Sequence, residues 1–549
     1  MARLTFADLE ARSKAQAPVL DKPKIKVGLS TCGIAAGAEP VFAALGQEVK
    51  GRGLEWRVAR TGCAGMCSME PLVEVDLPGQ DPVMFGGVTP DFARQLVAAA
   101  ADGTPLPAEH QVPGIAQLAR VAGEPVATEG PRQYRIVMRN CGVIDPEEID
   151  EYLERGGYQA LAKVLSSMTP EQVIEELKVS GVRGRGGAGF PAWLKWSLTR
   201  ESKGDEHLIV CNGDEGDPGA YMDRSVLEGD PHAVLEGMIL GGYVIGAKQG
   251  FFYIRAEYPL AIQRIEKALR QARAAGLLGN NILGTDFSFN VEIRLGAGAF
   301  VCGEETALIA SVEGRRGTPS PRPPYPSVKG LWGQPTMINN VESLANMCQI
   351  VLRGGEWFSG IGMGKSTGTK VFAVTGKVKH AGLVEIPMGM TLREVVEGIC
   401  GGSASGSPIK AVQTGGPSGG LIPARELDTP ITYEHLQRLG SYMGSGGMIV
   451  MDETDDLVEL SKFYLGFCVD ESCGKCAPCR IGGSQMLRLL DKIAAGKGSD
   501  EDIVTIRRLA HAMQKASLCG LGQGAPSPIL SALRYFEPEF RGRLASGEN

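Results

Sequence analysis

No apolar run in this chain is long enough to span a bilayer. The longest, Gly237 to Ala247, is cut off by Lys248 and Gln249, well short of the ~20 residues a transmembrane helix needs. Met1 to Glu10 lack the apolar core of a secretory signal. The expected location is therefore cytoplasmic, with no direct membrane insertion. An excess of positive charge is missing too. The formal net charge is −7, which argues against general affinity for nucleic acid or anionic lipid. There is no internal repeat and no low-complexity block. What is present is 43% apolar and 22% charged, the composition of packed globular domains. A chain of 549 residues suggests about three to five of them.

Histidine is scarce, at 6, whereas cysteine is not, at 13. The cysteine count is odd and the residues are clustered, which favours metal ligation over disulfides. Cys473, Cys476 and Cys479 form a C-x-x-C-x-x-C triplet, and Cys519 follows in Ser517-Leu-Cys-Gly-Leu-Gly522. Three thiolates from one short loop plus a fourth from elsewhere form the usual shell of a [4Fe-4S] cluster. Zinc is the rival metal, but it favours paired C-x-x-C units or added histidines, and no histidine lies beside the triplet. Free thiols are the plain alternative. A cluster here implies one-electron transfers. Cys141, Cys211, Cys302, Cys348, Cys400 and Cys468 stand alone and read as small buried apolar residues.

The pattern along the chain predicts an α/β multidomain fold. Residues 24–100 read as β-α-β then β-β-α, the thioredoxin-like order, with Cys32, Cys63 and Cys67 each just after a strand. Residues 102–131, rich in Pro, Ala, Gly and Glu, read as a linker. Helices are expected over 145–156, 158–166 and 169–180, the last capped at Thr169-Pro170. Residues 207–315 alternate strand and helix, as in a mostly parallel, Rossmann-like sheet. Residues 366–450 resemble a β-grasp module, with a helix from Thr391 to Gly398, and 455–549 read as a helical bundle. The expected domains are 1–125, 126–360, 361–454 and 455–549.

Gly181 to Pro191 is a glycine-rich loop before a helix, an arrangement that exposes backbone N–H groups to an anion. Arg183, Arg185 and Lys195 add positive charge. The spacing Gly184-x-Gly186 is a weak signal by itself. Asp214, Glu215 and Asp217 follow one strand end, and Glu304 and Glu305 follow another. Carboxylates there suit ribityl or ribose hydroxyls; a metal site or solvated charge are the alternatives.

Six motifs occur together and in order: Arg183-Gly-Arg-Gly-Gly-Ala-Gly-Phe-Pro191, Cys211-Asn-Gly-Asp-Glu215, Cys302-Gly-Glu-Glu-Thr306, Gly330-Leu-Trp-Gly-Gln-Pro-Thr336, Ile338-Asn-Asn-Val-Glu342 and Glu471 to Arg480. Over residues 135–549 the chain resembles the NADH-binding flavoprotein subunit of respiratory complex I. It is similar also to relatives in NAD-linked and electron-bifurcating hydrogenases and NAD-dependent formate dehydrogenases. The resemblance implies FMN with its phosphate at Gly184, Gly186, Lys195 and the Asn339-Asn340 region, Arg185 lying within that loop. Asn212, Asp214 and Gly303 would line the ribityl chain and ring, beside Glu304. NAD(H) would stack on the flavin, with Glu215, Asp217 and Glu305 at its polar groups and Tyr325 on its adenine. Three positions depart from the family: Asp217 for a commoner Glu, Arg322 for Lys, and Leu198 for an aromatic. The implied activity is hydride transfer between NADH and FMN, with no catalytic side chain, followed by single-electron transfer.

Cys32, Cys63 and Cys67 resemble the ligands of a thioredoxin-like [2Fe-2S] ferredoxin, which normally has C-x4-C followed by C-x3-C. The second pair is intact and Cys32 is the lone upstream thiol. Gly28, Gly33 and Gly37 mark where its partner would stand. Ser30, Thr31 or an exogenous ligand would complete a cluster; an empty docking domain is the alternative. The resemblance implies a soluble multisubunit complex with a small [2Fe-2S] subunit and a catalytic hydrogenase or formate dehydrogenase subunit, and flavin-based bifurcation within it. A non-catalytic electron-relay scaffold is the rival reading.

Overall fold

Strand β1 (Lys24–Gly28) sits inside the first sheet because Ile25 and Val27 are fully buried, while Lys26 turns outward to Glu74 at 2.6 Å. The computed structural model describes residues 3–14, 21–121 and 133–545. The first sheet has the order β2-β1-β3-β4-β5, with β2 (Arg57–Thr61), β3 (Val73–Asp76), β4 (Val83–Phe85) and β5 (Gln111–Val112). Strands β1 and β2 run parallel, and β1, β3 and β4 are antiparallel in turn. Helices Ala38–Gly51 and Pro90–Ala101 pack Val41, Leu45, Phe92 and Leu96 against it.

The linker expected over 102–131 is partly structured. Residues 111–121 supply β5, the short helix Ile115–Leu118 and β6 (Ala119–Val121), which pairs in parallel with β7 (Gln133–Arg135). Ile115 and Val121 bury against Ala64, Met66 and Met84, so packing overrides the loop-like composition. Residues 122–131 lie outside the described residues.

The N-terminal sheet packs tightly on the chain around Gly229. A Cβ built on Gly62 would fall 2.4 Å from the Cα of Gly229, so the two backbones touch. Helix Pro170–Ser180 has the expected cap, a reciprocal Thr169–Gln172 box. The helix expected over 145–156 is shorter, Ile149–Glu154.

The second sheet is parallel throughout, in the order β10-β9-β8-β11, from β8 (Leu208–Gly213), β9 (Gln249–Arg255), β10 (Asn290–Gly296) and β11 (Thr336–Asn340). The helix Pro231–Ile245 is buried nearly all round, as its largely apolar sequence requires; its polar side chains His232 and Glu236 are hydrogen-bonded to Tyr158 and Tyr152. Asp230 caps it by accepting from Ala233 N–H at 3.2 Å.

A two-residue ladder, β12 (Gly362–Met363) with β13 (Ser366–Thr367), leads to a third sheet. Its strands are β14 (Thr369–Gly376), β15 (Gly382–Pro387), β16 (Ile409–Thr414), β17 (Leu421–Pro423) and β18 (Gly447–Asp452), in the order β15-β14-β18-β16-β17. The helix expected from Thr391 widens to a π-helix over Glu394–Ile399. Lys370 on β14 forms a wholly buried ion pair with Glu342 of the helix Val341–Arg353, tying the second and third sheets together. The C-terminal helices Leu457–Asp470, Gly483–Ala494, Asp500–Ala516 and Ser527–Tyr535 share a core of Leu465, Met486, Leu490, Ile506, Met513 and Ile529. Among the described residues, no helix is long and apolar enough to cross a membrane.

Candidate functional site

The parallel pairing of β8 and β11 sets Asn212 opposite Asn340 at the strand ends. Backbone and side chains then close a polar floor. Asn212 Nδ2 donates to the Gly303 carbonyl at 2.9 Å, and its Oδ1 accepts from Asp214 N–H at 3.1 Å. Asn340 accepts from Ser343 N–H at 3.1 Å and donates to Asp223 at 2.6 Å. The glycine-rich loop lies on this floor. A Cβ on Gly186 would fall 3.1 Å from that of Asn340, and Arg185 N–H donates to Ser343 Oγ at 2.8 Å. Gly184 is held through its carbonyl by Tyr433 Oη at 2.9 Å.

The charged residues divide by what they touch. The buried Arg185 guanidinium is committed to three carbonyls, of Arg183, Thr367 and Thr369, so its side chain braces the loop. Lys195 donates to the Ile338 carbonyl at 3.0 Å and stands 3.8 Å from Glu305; burial pulls its ammonium below the ordinary lysine range. Glu305 also pairs with Arg322 at 2.7 Å. Glu304 caps the helix Glu305–Val312 through Thr306 and Ala307 N–H. Tyr325 is exposed, its ring open to solvent.

Asp214 differs from all of these. Both of its carboxylate oxygens are buried without a hydrogen-bond partner, as is Asn339 Nδ2. Burial raises the Asp214 pKa to about 7. Orphaned buried polar atoms are rare in folded proteins, and these fit a hydroxyl-bearing ligand such as the ribityl chain of FMN. Glu215 and Asp217, expected at the nucleotide's polar groups, are bonded to protein groups here. Glu215 accepts the Asp223 and Arg224 N–H groups, both at 3.0 Å, at the start of the helix Met222–Gly229. Asp217 accepts from Ser445 at 2.9 Å and lies against Gly416, both from the third sheet's loops. Burial lifts both to about 6. Ser343, Tyr433 and Ser445 carried no sequence signal, because their partners are far away in the chain.

The C-terminal thiols ring a cavity lined by Val301, Pro319, Leu518 and Leu521 with Cys473, Cys476, Cys479 and Cys519. Among the described residues, the one group with three ligand atoms mutually within 4.8 Å is Cys32, Cys63 and Cys67. The C-terminal sulfurs are therefore spread more widely. Four thiols, three from one loop and one from a second segment, lining one cavity fit the shell of a [4Fe-4S] cluster. Glu471 accepts from Phe300 N–H at 2.9 Å, and Arg316 donates to the Cys473 carbonyl at 3.1 Å. The cluster loop is thus fastened to the loop after β10.

The N-terminal thiols are compact: Cys63 to Cys67 is 3.5 Å and Cys67 to Cys32 is 3.9 Å. Thr31 donates through its N–H and hydroxyl to Glu228 of the second module, at 2.8 and 2.5 Å.

The model of the Nuo51 FMN-binding domain matches residues 177–349, that of an SLBB domain 371–421, and that of the NADH-ubiquinone oxidoreductase-F iron-sulfur binding region 459–543. The chain is 54% identical over 417 residues to the NADP-reducing hydrogenase subunit HndC of Solidesulfovibrio fructosivorans, covering 76% of this chain and 85% of that one. It is 44% identical over 405 residues to an F-type subunit of NADH-quinone oxidoreductase in Rhizobium meliloti (strain 1021), covering 74% and 96%. Among solved structures it is similar to an NAD+-reducing [NiFe]-hydrogenase in the H2-reduced state, with a TM-score of 0.68, 28% identity, and coverage of 99% of this chain and 88% of that one. The strand-end floor, the four-thiol cavity and these matches lead to one statement: the chain belongs to the family of NADH-oxidising, FMN- and [4Fe-4S]-binding subunits found in complex I and related hydrogenases.

Proposed function

We propose that this chain is the nicotinamide-linked subunit of a soluble hydrogenase or formate dehydrogenase complex, which passes electrons between NAD(H) and iron–sulfur partners. The observation that carries it is the orphaned Asp214 carboxylate at the strand ends, one loop away from the four-thiol cavity. FMN, when bound, supplies the exchange between paired and single electrons. Gly184, Gly186 and Lys195 hold its phosphate, with Asn339 and Asn340 at the strand end. Asn212, Asp214 and Gly303 receive its polar groups. Glu305 and Tyr325 are NAD(H) contacts, Tyr325 at the adenine; Glu215 and Asp217, expected at its polar groups, also shape that side by fixing the helix start and the Gly416 loop. Cys473, Cys476, Cys479 and Cys519 hold [4Fe-4S], and Cys32, Cys63 and Cys67 a [2Fe-2S].

The sheet orders support a thioredoxin-like module over 1–125, a Rossmann-like one over 126–360, a β-grasp one over 361–454 and a helical bundle beyond 455. Two separate thiol centres give electrons two exits, which favours a bifurcating role. The purified protein is expected to carry a flavin spectrum that NADH bleaches under anaerobic conditions. Protein that binds no flavin after reconstitution would overturn this reading and leave a relay scaffold.

A further inference from the structure

Three thiols leave the N-terminal centre one protein ligand short, and the structure shows what stands in the gap. Gly28 ends β1 upstream of Cys32. A Cβ built on Gly28 would lie 3.0 Å from each carboxylate oxygen of Glu70, and one on Gly33 would lie 3.1 Å from Oε2. The Glu70 carboxylate therefore fills the space that a side chain at position 28 would take. It is brought there by the single turn Cys67–Met69, which it directly follows.

One oxygen is engaged and the other is not. Oε2 accepts from Leu72 N–H at 2.8 Å. Oε1 is buried with no partner, a costly arrangement unless something absent meets it. The alternatives are worse placed. The Thr31 hydroxyl is taken by Glu228. Ser30 Oγ lies 3.0 Å from Cys32 Sγ, and is engaged by that sulfur.

The surroundings also call for an anion. Arg135 is 1% exposed, and its Nη2 donates to the carbonyl of Ala64, next to Cys63, at 2.6 Å. Its Nε and Nη1 have no partner. A buried cation with unpaired donors is unfavourable by itself, but suits a centre whose four ligands are all negative.

We propose that Glu70 is the fourth protein ligand of the centre held by Cys32, Cys63 and Cys67, making a three-thiolate, one-carboxylate [2Fe-2S] site. This rests on the reading of that centre as an iron–sulfur cluster. The test uses full-length protein purified anaerobically, with iron and sulfide assays and EPR of the reduced state. Wild type should hold about six irons and about six sulfides per chain, from one cluster of each kind. Glu70→Gln keeps the shape and an acceptor for Leu72, and should lose about two irons while keeping flavin and the [4Fe-4S] signal. Combining Glu70→Ala with Gly28→Cys clears the space and places a thiol in it. This double variant should regain the lost iron with EPR g-values different from wild type. Full iron and a wild-type spectrum in Glu70→Gln would overturn the assignment of Glu70 while leaving the cluster in place. A wild type with only about four irons would overturn the cluster reading, and the proposal with it.

Discussion

The Glu471 carboxylate accepts the backbone N–H of Phe300 at 2.9 Å. One bond thus joins the loop that carries Gly303 and Glu304 to the residue two places before Cys473. The Phe300 ring meets Phe467 edge-on at 5.2 Å behind it. A hydrogen bond to a charged group contributes about 1.5–3 kcal/mol. Glu471→Ala should loosen this junction, leaving flavin bleaching by NADH at its wild-type rate and slowing cluster reduction several-fold. Stopped-flow spectroscopy separates the two phases; equal cluster rates in both proteins would reject the junction's role.

Cys476→Ser should remove the [4Fe-4S] cluster and leave FMN bound. Asp214, Asn212 and Gly303 lie outside the cavity that the four thiols line. Flavin content and NADH-dependent bleaching should persist while reduction of iron–sulfur partners fails. A folded variant that has lost its flavin would contradict this.

Burial raises Asp214 to about 7 and Glu215 to about 6, whereas in the unfolded chain both ionise near pH 4, at about 3.9 and 4.3. Between these limits the native flavin-free protein binds more protons than the unfolded chain. Its stability should therefore fall as pH rises from about 4 to about 7. Asp214→Asn should flatten that slope, because the replacement does not ionise. Melting temperatures of flavin-free protein across this range check it, and identical slopes in wild type and variant would dispose of the assignment.

Lys370 and Glu342 are both buried, and Glu342 also accepts from Val371 N–H at 2.9 Å. Removing one partner of a buried pair costs about 3–5 kcal/mol. Lys370→Met should destabilise the joint between the second and third sheets by that order. Adding Glu342→Gln should recover part of it by removing the uncompensated charge. Denaturant unfolding of the two variants measures the difference.

Local signals in the sequence were dependable. The Thr169 cap of the helix Pro170–Ser180 stands where the residues place it, because it is specified by neighbours in the chain. Residues 111–121 were not legible as structure, since Ile115 and Val121 are buried by residues from the first sheet. The site divides in the same way. Spacing alone picked out the four C-terminal cysteines and the strand-end carboxylates. What each carboxylate touches depends on folding: Glu215 meets the next helix, Asp217 meets Ser445, and Asp214 has no hydrogen-bond partner. Glu70 was invisible, because its relation to Gly28 spans two strands.

The contact of Gly62 with Gly229 bears on how uniformly electrons would move. At that point main chain lies on main chain, and beside it Thr31 is bonded to Glu228. The N-terminal thiols therefore have little freedom to rock against the flavin module. Transfer rates fall steeply with separation, so a hinged domain would spread them over many values. A seam this tight predicts one separation, and hence a single exponential for any electron that leaves by the N-terminal route.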